Sequence, residues 1–108
     1  MAYLNMQRLP ENGRRFISLT VTAGTTSSDI VLEHEHQVTS VCVYPVSGGT
    51  ALVEISTSPP SDVKGGTANW IDWAKGSVTV DTNDSTLSPI TGVRATATTQ
   101  DCILEVVA

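Results

Sequence analysis

Metal-ligand chemistry gathers at one place in the sequence, His34-Glu35-His36. On a strand, residues i and i+2 share a face, so the two imidazoles could approach a single ion. Two ligands do not complete a site, and a third would have to come from a distant carboxylate such as Asp29 or Glu54. Flanked by Glu33 and Glu35, the histidines read as a solvated polar corner, and no metal is expected.

The ingredients of nucleophilic catalysis are present only as isolated residues. Serines are plentiful, yet there is no G-x-S-x-G, no cysteine in an electropositive setting and no glycine-rich phosphate loop. Asp81 and Asp84 form a carboxylate pair, but they sit in Asp81-Thr82-Asn83-Asp84-Ser85, where Asp and Asn side chains serve turns by bonding nearby backbone. The sequence therefore predicts no catalytic residue and no cofactor. Trp70 and Trp73 are two of five aromatic residues, the others being Tyr3, Phe16 and Tyr44. Three apart on a strand, they point to opposite faces. One can plug a core, and the other is a candidate anchor for a partner protein or a stacking platform for a sugar.

The elements that must position these residues follow from the hydrophobic period. Ile17, Leu19, Val21 and Ala23 alternate with Ser18, Thr20 and Thr22. Asp29 to Glu33 gives a short strand. Gln37 to Tyr44 sets Val41 and Val43 opposite Cys42 and Tyr44, which reads as a central strand buried on both faces. Ala51, Val53 and Ile55 alternate before Pro59-Pro60 ends the run. Residues 58–68, with two prolines and Gly65-Gly66, form the longest expected loop. Asn69 to Ala74 fits a strand or one helical turn, with the strand favoured because Gly76, Val78 and Val80 follow at once, and Asp81 to Ser85 reads as a turn.

Near the C-terminus, Val93, Ala95 and Ala97 point inward, with Arg94 a solvated charge on the polar face. Cys102, Leu104 and Val106 close the pattern. About eight short strands, separated by turns every 8–12 residues, predict an all-β chain: a β-sandwich of antiparallel strands with jelly-roll-like topology. Residues 1–14 show no period and read as an N-terminal arm, apolar through Leu4, Met6 and Leu9. Residues 15–108 form a single sandwich domain.

Composition agrees and excludes several functions. The chain has 108 residues, 40% of them hydrophobic and 16% charged, with 15 Thr and 11 Ser. That is enough for one core and favours strands over helices. A net charge of −5 with six scattered Lys and Arg, adjacent only at Arg14-Arg15, argues against nucleic acid and anionic membrane. No run approaches a spanning helix, and the N-terminus lacks the pattern of a signal peptide. A cytoplasmic origin is expected, with Cys42 and Cys102 reduced.

The stretch Trp70-Ile71-Asp72-Trp73-Ala74-Lys75-Gly76-Ser77-Val78 is followed by Ser88-Pro89-Ile90-Thr91-Gly92-Val93-Arg94-Ala95-Thr96-Ala97-Thr98. Cys102-Ile103-Leu104-Glu105-Val106 closes the pattern. These segments, within about residues 50–107, resemble the small β-sandwich decoration (cement) proteins of tailed bacteriophages. The resemblance implies a jelly-roll-like sandwich with no active site and no cofactor. It also implies a homo-oligomer, a dimer or trimer, that binds the major capsid protein on the virion exterior after assembly in the host cytoplasm. The expected partner-binding residues are Leu4, Met6 and Leu9 of the arm, with Trp70 and Trp73. The alternative is a carbohydrate-binding sandwich using either tryptophan.

Overall fold

A computed structural model describes residues 3–8, 14–33, 38–86 and 90–108. The chain begins with β1 (Tyr3–Asn5) and β2 (Gln7–Arg8), then runs through β3 (Arg15–Val21), β4 (Asp29–Val31), β5 (Thr39–Pro45) and β6 (Thr50–Ser56). A helical turn and a half, α1 (Pro60–Gly65), precedes β7 (Ile71–Val78), β8 (Thr82–Thr86), β9 (Gly92–Thr98) and β10 (Cys102–Val107). Two five-stranded sheets result, in the orders β1-β4-β9-β6-β7 and β2-β3-β10-β5-β8.

The pairing explains the architecture. Among β3 to β10 the first strand pairs with the last, β4 with β9, β5 with β8 and β6 with β7, all antiparallel. A hairpin ribbon folded over on itself in this way is a jelly roll. The two halves are stitched within each sheet by β10 against β5 and by β6 against β9. The expected β-sandwich is the fold, and among the described residues its one parallel pair is β1 with β4.

Alternation along each strand puts the apolar residues between the sheets. Val41 and Val43 of β5, Leu104 and Val106 of β10, Val53 of β6 and Val93 of β9 are all buried. Burying one such side chain is worth about 1.5–3 kcal/mol. Ala95 and Ala97 lie opposite Val53 and Ala51 across β6 and β9, so small side chains line the middle of that sheet. Cys42 and Tyr44 are only half-buried, on the outer side of β5. This strand is therefore covered on one face and not on both.

The N-terminal reading needs correction. Residues 3–8, expected to lie free as part of an arm, form β1 and β2, which bridge the two sheets along one side of the sandwich. Met6 turns inward between them and joins the core at 7% exposure. The period was invisible because the segment is two strands of three and two residues with a crossing between, too short for alternation to register.

Two more readings change. Thr82–Thr86, which overlaps the turn expected over Asp81 to Ser85, is an edge strand paired with β5. Turn-type residues are tolerated there because an edge strand faces water along one side. The long loop contains α1, which starts on Pro60 and ends at Gly66 with φ 79°. Proline at the first position and a left-handed glycine after the last are the usual helix limits.

All four sheet edges resist the addition of a further strand. β1 and β2 are very short; β7 carries an irregularity opposite Val53, with Gly76 at φ 64°. On β8, Asp84 is paired with Val41 and so lies on the inward side. Each of these is a known device against edge-to-edge association.

Candidate functional site

The densest array of polar groups crosses the outer face of the β1-β4-β9-β6-β7 sheet. Register places Tyr3 beside Asp29, and Arg94 beside Glu54, which in turn faces Asp72. The Arg94 Nε–H donates to Glu54 Oε1 at 3.0 Å, and its other arm lies 3.9 Å from Asp29 Oδ1. The guanidinium also stacks on Trp70, 4.3 Å from the ring centroid. Arg94 is therefore no free solvated charge, as alternation alone suggested, but the hub of four elements.

This hub fastens the long loop to the sheet. Val63 of α1 is fully buried above Gly92, and a Cβ at Gly92 would come within 2.9 Å of Trp70 Cη2 and 3.2 Å of Val63 Cγ1. Only glycine allows the helix and the indole to sit this close. The Thr91 hydroxyl donates to the Ser56 and Ser58 carbonyls. Lys64 pairs with Glu33 and lies 5.6 Å over the Tyr3 ring. The arrangement holds its charges in fixed pairs.

Burial raises the Asp29 carboxyl above its ordinary value, with Arg94 opposing this and Glu54 reinforcing it. The folded chain therefore holds the Asp29 proton more tightly than the unfolded chain does. Between the ordinary and raised values the folded state binds more protons, so stability falls as pH rises through that window. Chemical denaturation from pH 4 to pH 7 is expected to show this slope, and Asp29→Asn to remove the share due to Asp29. An unchanged slope in Asp29→Asn would assign the effect to other carboxylates.

Of the five residues expected to bind a partner, the four that the structure describes are dispersed. Trp73 lies in the core at 4% exposure, its indole N–H donating to the Gly76 carbonyl at 2.7 Å. Trp70 is half-buried beneath Arg94 on the outer face. Met6 is in the core, Leu4 is exposed at the sheet edge, and Leu9 lies outside the described residues. Burial leaves Met6 and Trp73 no surface for a partner. The His34-Glu35-His36 corner also lies outside the described residues. Among the described residues, no three His, Cys, Asp or Glu side chains are disposed to hold a metal.

The outer face of the second sheet is different in kind. Phe16, Ser18, Ser40, Tyr44, Ile103 and Val107 lie on it, by alternation against the inward Leu19, Val43, Leu104 and Val106. Its central charge is Glu105, which accepts bonds from the Tyr44 hydroxyl at 3.0 Å and the Ser18 hydroxyl at 3.4 Å. Held by Glu105, the Tyr44 phenol is pushed up to about 12. An open hollow of about 220 Å³ beside β8 is lined by Cys42, Tyr44, Asp81, Thr82 and Asn83. Cys42 and Cys102 are free thiols on opposite faces of this sheet.

Comparisons with protein families, curated proteins and solved structures find no match. The surfaces themselves therefore carry the functional reading. One sheet is covered by α1 and a row of paired charges, and the other presents a sparsely charged wall of Ser, Thr and apolar side chains. The sequence signal for that wall was the Ser and Thr on the polar phase of β3 and β5, alternating with core residues. No helix among the described residues is long and apolar enough to cross a membrane.

Proposed function

We propose that this chain is a non-enzymatic structural protein of a tailed-phage virion, which decorates the capsid exterior and stabilises it by binding the major capsid protein. It acts as a symmetric homo-oligomer assembled in the host cytoplasm. The resemblance of residues 70–78, 88–98 and 102–106 to decoration proteins supports the reading. The observation that carries it is the open wall of the β2-β3-β10-β5-β8 sheet. A face whose central charge, Glu105, is already bonded internally can lie against another protein with little desolvation of charge, and its hydroxyls can bond across the interface. The blunted edges direct contacts to such a face and away from strand addition.

The carbohydrate reading draws on two tryptophans, and it weakens on their placement. Trp73 is in the core, and one face of Trp70 is taken by Arg94. Co-sedimentation with undecorated capsids, run beside a glycan array, separates the two readings. Saturable capsid binding is expected, reduced tenfold or more in Ile103→Lys, which sets a charge on the open wall where Ile103 is 41% exposed. Saturable glycan binding that disappears in Trp70→Ala, with no capsid binding, would overturn the proposal.

A further inference from the structure

We infer that the end of the sandwich where β2 meets β3 binds a carboxylate side chain of a partner protein, through Arg8 and Arg15. Three of the six basic residues in the chain, Arg8, Arg14 and Arg15, belong to this one hairpin. Arg8 stands directly opposite Arg15 in the register. Side chains so placed have Cβ atoms about 4.5–5.5 Å apart, and like charges there repel. The pair persists in a chain with eleven acidic residues, yet among the described residues neither guanidinium has an ion-pair partner, while Arg14 does make contacts of its own.

Arg15 is half-buried and lines a hollow of about 270 Å³ with Asn5, Met6, Val31 and Glu33. Glu33 is already matched by Lys64, so it does not neutralise Arg15. A partly desolvated guanidinium facing another one is stabilised by an anion between them, and Arg binds carboxylate in a two-pronged geometry. The exposed Asn5, on the rim of the same hollow, supplies a further amide donor. A polyphosphate or nucleic acid fits worse, because a net charge of −5 repels an extended polyanion. The inference deepens the proposed capsid attachment and rests on that reading only for the partner's identity.

Titration of the full chain with acetyl-Ala-Glu-Ala amide, a peptide bearing one carboxylate, followed by NMR, tests the site without any capsid. Saturable shifts are expected at the Arg8 and Arg15 Nε–H signals and at the Asn5 side-chain amide. Arg8→Gln and Arg15→Gln should each weaken binding about tenfold, the size of one charge-assisted bond, and the double variant should abolish it. In buffer poor in anions, Arg8→Gln should raise the melting temperature by relieving the repulsion. A lowered one would assign Arg8 a structural role and overturn the inference. So would the absence of saturable shifts, retention of affinity by the double variant, or saturation by inorganic phosphate and not by the peptide. Peptide binding together with failed capsid binding would uphold the site and overturn the virion reading alone.

Discussion

Truncating Trp73 to alanine is expected to lower stability by about 3–5 kcal/mol, the range for removing a large aromatic side chain from a packed core. Trp73 belongs to the same buried cluster as Val53, Val93 and Ala95. It also ties the irregular part of β7 through its bond to the Gly76 carbonyl. Removing the indole opens a cavity that strands cannot close without breaking register, and leaves that carbonyl without its partner. Urea unfolding checks this: the midpoint should fall with the slope nearly unchanged. A loss under about 1 kcal/mol would mean that Trp73 is not packed in the core, since core truncations of this kind cost several times more.

Arg94→Ala is the second large effect, expected at about 3 kcal/mol, toward the lower end for breaking a buried ion pair because the hub is partly open to water. The Arg94 side chain is 27% exposed and that of Asp29 is 7% exposed. Without the guanidinium, Asp29 and Glu54 face each other's charge, Trp70 loses its stacked cation, and the α1 loop loses one fastening. Arg94→Lys should recover part of the loss, since an ammonium restores charge but not the planar stack. A double-mutant cycle with Glu54→Gln isolates the pair. A loss within about 0.5 kcal/mol, as for an ordinary surface position, would return Arg94 to the solvated role that alternation suggested.

Period 2 made the sandwich legible. Ile17/Leu19/Val21, Ala51/Val53/Ile55, Val93/Ala95/Ala97 and Cys102/Leu104/Val106 each mark a strand with one buried face, and all are found so. The faces of Trp70 and Trp73 also followed from their spacing. Alternation cannot report which polar residue meets which across strands. The Asp29–Arg94–Glu54 row depends on β4, β9 and β6 being neighbours, although they are far apart in sequence. The same holds for Arg8 against Arg15. Short elements were lost for a related reason: β1 and β2 hold too few residues to show a period, and the Asp and Asn of β8 favour turns unless a neighbour such as β5 supplies a ladder.

Attachment to the outside of a capsid is tested most directly by cryo-electron microscopy of undecorated capsids with and without added protein. New density is expected at symmetry-related positions on the outer surface, into which the sandwich fits with its β2-β3-β10-β5-β8 face toward the capsid. Capsids that show no added density at saturating protein would contradict it.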